Sequence, residues 1–338
     1  MGHRRFSSVA TLLAGLLSLS STAGAQDVQE RQIKFGFAWE ASHPIALAAN
    51  KFGEIVGAKS GGKIKVRVFP GNQLGLDMQQ MSSLLGGTQE MMAHASAQVA
   101  NLVKEFGLLD FPYIVTTEQQ ADALLDGPAG KALLDTLTPK GLIGLGYWEN
   151  GFRHTTNSKR PITKIEDFDG LKFRVQPSPI FIETFKAFKT NPVTMSFSEL
   201  YPALETRAVD AQENPLLNIL TAKLYEVQKF TSLTGHVYGN GVILVGRKFW
   251  DRLSATEKTI IQDAFREAQD YQRQESRRQV SEAIAQLKGK GMQVNEVAPA
   301  ELERMRQATK PVKDKFTSQY DPAIVKIFQS EVERVNSK

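Results

Sequence analysis

The stretch SATEKTIIQDAFREAQDYQRQESRRQVSEAIAQL, residues 254–287, decides the fold. It contains no proline or glycine, and Ser254 lies three residues before Glu257, which is the spacing of a capping box. Its apolar residues fall mostly on one helical stripe, so we predict a single helix, about 50 Å long at 1.5 Å per residue. That length exceeds one small domain, and we expect the helix to lie along two lobes. The alternatives are a coiled coil, although the heptads are not clean, and two shorter helices with a break within 272–279 (QRQESRRQ).

Upstream of this helix, strand patterns alternate with helix patterns. The predicted strands are 32–38, 63–69, 91–95, 141–148, 152–156, 171–175, 192–195 and 208–212, and the predicted helices are 44–56, 76–85, 181–188 and 198–206. This order implies an α/β fold with a mostly parallel sheet covered by helices, and the pattern restarts after residue 160. Two such modules imply two lobes with a cleft between them. Because no Pro/Gly/Ser-rich linker separates the modules, we expect strands that cross between the lobes.

The first 26 residues, MGHRRFSSVATLLAGLLSLSSTAGAQ, have the three parts of an export signal. Arg4 and Arg5 give a basic start, residues 9–19 form an apolar run, and the small residues at 23–25 fit a cleavage site. We predict cleavage after Ala25, so that 1–25 is a signal peptide. A retained anchor is the alternative, although the apolar run is shorter than the roughly 20 residues that span a bilayer. The arginine pair is compatible with both Sec and twin-arginine export.

Composition and motifs argue against several classes of protein. The chain has 41 basic and 36 acidic residues, a net charge of +5, and without the two signal arginines the balance is 39 against 36, or +3. The sequence has no basic run of the kind that binds nucleic acid, and its lack of cysteine excludes disulfides, thiolate metal sites and cysteine nucleophiles. The histidines lack metal-ligand spacing, and the common catalytic signatures are missing. We expect neither an enzyme nor a bound metal or cofactor, and no nucleic-acid partner.

Polar side chains cluster at three junctions along the chain. Residues 148–156 (WENGFRHTT) hold Arg153, residues 208–220 (AVDAQENPLLNIL) hold Asn214, and residues 72–81 (NQLGLDMQQM) hold Asp77. These clusters are typical of binding sites, but two of the residues also have an ordinary structural explanation. Asn214 suits a helix N-cap with Pro215 in the first turn, and Asp77 suits the positive end of a helix dipole.

A fourth stretch, GLKFRVQPSPIF at residues 170–181, places Arg174 in a short alternating strand that ends at two prolines. The arginine could lie on the solvated face of the strand, because in an alternating strand the polar residues usually face the solvent. It could also stand at the carboxyl end of the strand, where α/β proteins build ligand sites. There, its planar guanidinium would match a carboxylate with two parallel hydrogen bonds, which lysine cannot copy.

Together these stretches resemble the solute-binding proteins of tripartite ATP-independent periplasmic (TRAP) transporters, of the dicarboxylate-type family. The segments that carry the resemblance, in chain order, are 71–91 (GNQLGLDMQQMSSLLGGTQEM), 104–114 (KEFGLLDFPYI), 146–181 (GYWENGFRHTTNSKRPITKIEDFDGLKFRVQPSPIF) and 203–215 (ALETRAVDAQENP). The resemblance implies a two-lobed, class II-like periplasmic-binding-protein fold with crossing strands and a long helix spanning both lobes. It also implies a monomer that captures an organic acid in the periplasm and delivers it to the small and large membrane subunits of a permease.

The resemblance further implies roles for individual residues. Arg174 would clamp the ligand carboxylate, Arg153 would make a second anion or hydroxyl contact, Asn214 would join them, and Asp77 would contribute a polar contact from the first lobe. Sialic-acid members place a glutamate near the position of Ala95, which argues against sialic acid here. The remaining candidates for specificity are Trp39, Glu40, His43, His94, Ser96, Trp148, Tyr238 and Asn240.

The acidic, amide and hydroxyl side chains among these candidates favour a ligand with several hydroxyl groups. We therefore expect a sugar acid such as a hexuronate. Small dicarboxylates and oxo acids are the alternative ligands. An alternative function is that of a ligand-loaded partner of a membrane sensor, and a periplasmic enzyme is a weaker alternative.

The expected lobes are 26–150 plus about 236–275, and 151–235 plus about 276–338.

Overall fold

The structure is a computed structural model that describes residue 2 and residues 28–337. The predicted cleavage site lies outside the described residues. The strands are β1 Arg31–Gly36, β2 Ile64–Phe69, β3 Met91–Ala95, β4 Leu142–Asn157, β5 Lys172–Val175, β6 Asn191–Thr194, β7 Ala211–Pro215, β8 Phe230–Leu233, β9 Tyr238–Gly246 and β10 Gln293–Glu296. The helices are α1 Pro44–Lys59, α2 Asp77–Gly86, α3 Ser96–Val99, α4 Glu118–Leu125, α5 Pro128–Asp135, α6 Pro179–Ala187, α7 Leu200–Glu205, α8 Leu216–Thr221, α9 Arg247–Trp250, α10 Ala255–Gly289, α11 Pro299–Thr317 and α12 Pro322–Asn336.

The strands lie in the order β2-β1-β3-β9-β4-β7-β5-β6, with β8 paired to β4 and β10 paired to β8. The pairs β1–β2, β1–β3, β5–β6 and β5–β7 are parallel, while β9 is antiparallel to both β3 and β4. Parallel βαβ units therefore build each half of the sheet, as the alternating sequence pattern predicts. The β1–β3 half belongs to the first lobe and the β5–β7 half to the second.

One strand joins the two halves. Residues 142–152 of β4 pair with β9, and residues 153–157 of the same strand pair with β7. The expectation of two separate strands at 141–148 and 152–156 is wrong, because the intervening residues form a bulge rather than a break. The ladder shifts register between Glu149 and Gly151, and Gly151 takes a φ of +96°, which favours glycine.

The long helix is continuous, as predicted. Ser254 Oγ accepts a hydrogen bond from the Glu257 backbone N–H at 3.1 Å, and the Glu257 carboxylate accepts one from the Ser254 backbone N–H at 2.9 Å. Near its start, Ile261 and Phe265 pack in a core with strands of the first lobe, while Leu287 near its end packs in a separate core of the second lobe. Because one helix contributes to both cores, the alternatives of a broken helix and a coiled coil are wrong. No helix among the described residues is long and apolar enough to cross a bilayer.

The segment around Asn214 differs from its N-cap interpretation. Strand β7 runs through Pro215, and Asn214 pairs with His154 across the ladder. Pro215 occupies the N-cap of α8, so it precedes the first turn rather than lying in it. Since the backbone of Asn214 is extended, its side chain points sideways from the strand and is available for contacts other than capping.

Candidate functional site

A small cavity of about 30 Å³ lies between the two lobes, where several strands end. Its lining comes from the segment after β1, the start of α2, the end of β3, α3, the bulge of β4, and the ends of β5 and β7. The lining residues are Ala38, Trp39, Asp77, His94, Ala95, Gln98, Asn150, Arg153, Arg174, Gln176, Phe197, Asn214 and Asn218. The carboxyl ends of parallel strands meet here, which is the usual place for a ligand in an open α/β sheet.

Arg174 is the buried cation of this cavity. It is 1% exposed, so the alternative of a solvated strand face is wrong. Its Nε and Nη2 donate to the Met195 carbonyl oxygen at 3.2 and 2.8 Å, and its Nη1 is buried without a hydrogen-bond partner. Burial lowers the pKa of Arg174 to about 10, which still leaves it charged at neutral pH. The cavity therefore presents a charged donor that no described protein group satisfies.

Arg153 lies beside it but is already paired. Its Nη2 donates to the backbone oxygen and Oε1 of Glu213 at 2.8 and 2.9 Å, its Nε contacts the same carboxylate, and its guanidinium lies over the Phe181 ring at 5.5 Å. Burial opposes ionisation of Glu213, but Arg153 and His236 hold the pKa of its carboxyl below the ordinary value. This pair carries no net charge, which distinguishes Arg153 from Arg174.

Asn214 connects this pair to the neighbouring helix. Its Oδ1 accepts from Arg153 Nη2 and from Asn218 Nδ2, both at 3.2 Å, and its Nδ2 donates to Gln212 Oε1 at 2.5 Å. Asn218 in turn accepts at Oδ1 from His43 Nε2 at 3.0 Å. The polar wall of the second lobe is thus a continuous hydrogen-bonded chain that ends on a residue of the first lobe.

The first lobe contributes an acid, an imidazole and an indole. Asp77 is the first residue of α2, and its Oδ1 lies 3.5 Å from His94 Nδ1. Burial lowers the pKa of His94 although the Asp77 charge opposes this, so the imidazole is neutral at neutral pH. Trp39 Nε1 donates to Asn150 Oδ1 at 3.2 Å. The β4 bulge allows this contact, since a regular alternation would not direct both Asn150 and Arg153 to the same side of the strand.

Six of the twelve residues predicted from the sequence line this cavity: Trp39, Asp77, His94, Arg153, Arg174 and Asn214. His43 lies just behind it as a partner of Asn218. Ser96 Oγ donates to Asp110 Oδ1 at 3.0 Å and accepts from Asn240 Nδ2 at 3.4 Å, so Ser96 and Asn240 belong to a buried network outside the lining.

Three predicted residues lie elsewhere. Trp148 is fully buried and stacks on Phe265 at 6.2 Å, because its strand position faces the core. Tyr238 is also in a core and packs edge-on against Phe152 at 5.1 Å. Glu40 is exposed and lines an adjacent groove of about 310 Å³ rather than the cavity.

Sequence reasoning missed several lining residues. Asn150 stands in the same stretch as Arg153, Gln176 follows Arg174 by two residues on the same strand period, and Asn218 lies four residues after Asn214. These spacings could have identified them. Gln98 had no local signal, yet its Oε1 is buried without a hydrogen-bond partner.

A larger cavity of about 610 Å³ lies behind the crossing strand, lined by residues of β4, α10 and α11. Its walls are mostly apolar, and its Arg277 is neutralised by Asp122 and Glu149 at 2.7 and 2.9 Å. The small cavity is the better candidate because its Arg174 has a nitrogen without a hydrogen-bond partner, whereas the Arg277 side chain of the larger cavity is ion-paired. The described residues contain no cluster of three or more acidic or histidine side chains suited to a metal ion.

The chain is similar to several known proteins. A family model described as bacterial extracellular solute-binding protein, family 7, matches residues 35–319. The 2,3-diketo-L-gulonate-binding periplasmic protein YiaO of Escherichia coli K12 is 35% identical over 285 residues, covering 84% of this chain and 86% of that protein. The C4-dicarboxylate-binding periplasmic protein DctP of Rhodobacter capsulatus is 33% identical over 302 residues, covering 89% and 90%. The solved sugar acid binding protein DctPAm of Advenella mimigardefordensis strain DPN7T, in complex with galactonate, is 39% identical with a TM-score of 0.89 and covers 91% of this chain and 100% of that one.

Proposed function

We propose a ligand for this protein, which belongs to the bacterial extracellular solute-binding proteins of family 7, the periplasmic binding components of TRAP transporters. Proteins of this family bind small organic acids and work with membrane permease subunits. Within that class, we propose a six-carbon sugar acid with one carboxylate, such as a hexuronate or an aldonate. The protein captures this acid in the cleft and delivers it to the small and large permease subunits.

The observation that carries the proposal is the unpartnered Nη1 of Arg174. A buried charged donor without an acceptor is costly, and a carboxylate is the acceptor that relieves the cost most completely. The Met195 carbonyl holds the other edge of the guanidinium at 2.8 and 3.2 Å, so the free nitrogen has a fixed direction. We propose that the ligand carboxylate binds at this nitrogen.

The charge balance favours one carboxylate over two. Arg153 is neutralised by Glu213, and Asp77 adds a negative charge to the opposite wall. A dicarboxylate would bring its second charge to a wall without a second unpaired cation. The similarity to the Rhodobacter capsulatus protein makes C4-dicarboxylates the second candidate, but this charge distribution supports the sugar acid.

The remaining lining supports a hydroxylated body. Gln98 Oε1 is an acceptor without a partner, which suits a hydroxyl donor. The amides of Asn150 and Gln176 line the same space. The relatives named for 2,3-diketo-L-gulonate and for galactonate both bind six-carbon acids rich in oxygen. We therefore assign the hydroxyl contacts to Gln98, Asn150, Gln176 and Asp77.

Binding requires movement of the lobes. A volume of about 30 Å³ accommodates little more than one water molecule, so a sugar acid enters only when the cleft is wider. The ligand contacts proposed here come from both lobes, and they favour closure of the lobes on the acid because both walls reach it only when they approach each other. We propose that the lobes, 26–150 plus about 236–275 and 151–235 plus about 276–338, rotate about the crossing strands.

A ligand screen with a matched control tests the proposal. Galactonate, glucuronate and succinate are compared by thermal shift, since a ligand that binds only the folded state raises its stability by about 2.7 kcal/mol at one hundred times Kd. We expect shifts with the six-carbon acids, and loss of those shifts in Arg174→Lys. Lys172→Ala, an exposed position two residues earlier on the same strand, should behave as wild type. A shift with succinate alone would make the sugar-acid proposal wrong.

The transport role is tested in cells. Disrupting the genes for the permease subunits should abolish uptake of the acid that the screen identifies. Unchanged uptake would instead favour the partner of a membrane sensor, which would use the same cleft.

A further inference from the structure

We propose that His43 and Asn218 form a latch between the lobes, in which His43 is a positioning residue for the ligand wall. The latch deepens the proposed function, because it would set how readily the cleft closes on an acid. His43 does not line the cavity, so its effect would act through Asn218 and Asn214 rather than through contact with the ligand.

The two nitrogens of His43 have different partners. Nδ1 accepts from the Ile45 backbone N–H at 3.2 Å and so caps α1, whose first residue is Pro44. This acceptor role requires the proton to be on Nε2, which then donates to Asn218 Oδ1 at 3.0 Å. Burial lowers the pKa of His43 to about 3, so this neutral tautomer persists throughout the physiological range. The helix cap orients the imidazole for the contact across the cleft.

The contact joins elements that belong to different lobes. Helix α1 packs on β2 and shares a hydrophobic core with β1, whereas α8 follows β7. Both side chains are buried, with His43 fully buried and Asn218 4% exposed. When the lobes separate, water replaces the hydrogen bond, and neither lobe loses any contact of its own. The bond therefore contributes to closure and not to the folding of either lobe.

The latch also aligns the second-lobe wall. With Oδ1 held by His43, the Asn218 amide is oriented so that Nδ2 donates to Asn214 Oδ1 at 3.2 Å. The same Asn214 oxygen accepts from Arg153 Nη2. Closure thus fixes the amide orientations that face the ligand, and a ligand meets a pre-organised wall.

A double-mutant cycle tests the coupling. His43→Asn keeps a good helix N-cap but is too short to reach across the cleft, and Asn218→Ala removes the acceptor. We expect each variant to weaken galactonate binding about tenfold by calorimetry, which is the range of one hydrogen bond. The double variant should lose little more than either single variant, because the same bond is broken. Thr117→Ala, which removes an exposed cap of α4, is the matched control and should bind normally.

A ligand-free measurement separates the latch from the choice of ligand. The chain has no cysteine, so a Glu54→Cys, Glu205→Cys pair accepts spin labels only at one exposed site on each lobe. Without ligand, we expect His43→Asn and Asn218→Ala each to reduce the population of molecules in which the two spin labels are close together. Equal distance distributions in wild type and variants, or additive losses of affinity, would overturn the latch. If galactonate does not bind wild type, the ligand proposal fails while the distance distributions still decide the latch.

Discussion

Replacing Arg174 with methionine should affect ligand binding far more than stability. Burial lowers the pKa of Arg174 to about 10, and at about 1.36 kcal/mol per pKa unit this shift corresponds to about 3 kcal/mol of unfavourable free energy for the charged form. Against this, the substitution removes two hydrogen bonds from this charged donor to Met195 O, at about 1.5 kcal/mol each. The two contributions nearly cancel, so we expect the free energy of unfolding of the ligand-free Arg174→Met protein to lie within about 1 kcal/mol of the wild-type value, a change of about 2 °C or less in melting temperature.

Acid binding should fall steeply in the same variant. Losing one partner of a buried charged pair typically costs about 2–5 kcal/mol, or roughly 30-fold to several thousand-fold in Kd. Thermal unfolding without ligand and titration calorimetry with galactonate measure the two effects separately.

Arg153→Met is the matched comparison, because both arginines are buried at the same cavity. Removing Arg153 leaves the Glu213 carboxylate buried without its cation, which we expect to cost about 3–5 kcal/mol of stability. The reasoning is refuted if Arg174→Met lowers the melting temperature as much as Arg153→Met does. It is also refuted if Arg174→Met retains wild-type affinity for every acid that the wild type binds.

Three further predictions follow from single side chains. Burial raises the pKa of the Asp110 carboxyl to about 7. The protonated carboxyl therefore contributes its full stability below about pH 4, and this contribution is lost as the pH rises through 7. In urea denaturation, the free energy of unfolding of Asp110→Asn should equal that of the wild type at pH 4 and exceed it by on the order of 2–4 kcal/mol at pH 8. Gln98→Leu removes an acceptor that has no protein partner, so galactonate affinity should drop about tenfold by calorimetry while ligand-free stability does not fall; unchanged affinity would argue against a hydroxyl contact there. Ser254→Ala should lower the free energy of unfolding by about 1 kcal/mol in urea, since it removes the α10 cap, and a null result would mean that packing alone determines this helix end.

Several features followed from local sequence patterns. The long helix was predictable because a stretch without proline or glycine, a capping box and an apolar stripe all act within a few turns. The strand around Arg174 was predictable from its alternation, whereas the ligand contact that the family resemblance implies for this arginine stays a prediction. The substrate class was predictable from that resemblance to the level of organic acid.

The position of individual side chains was less predictable. Trp148 is in a stretch that has the pattern of a binding segment, but its position in β4 directs the side chain into the hydrophobic core. The bulge that follows in the same strand places Asn150 at the cavity. Asn214 before a proline has the pattern of a helix cap, yet the β7 ladder extends through it. Each outcome depends on pairing with a strand that is distant in sequence.

The sequence by itself determined the secondary-structure order, the two-lobed α/β architecture and the presence of two arginines near the cleft. Only the tertiary structure decided that Glu213 neutralises Arg153 whereas Arg174 has a nitrogen without a partner. It also decided that His43 reaches Asn218, a residue 175 positions away. The physical reason is that helix and strand periods are properties of neighbouring residues, whereas charge compensation and inter-lobe hydrogen bonds depend on which side chains the folded chain brings within about 3 Å of each other.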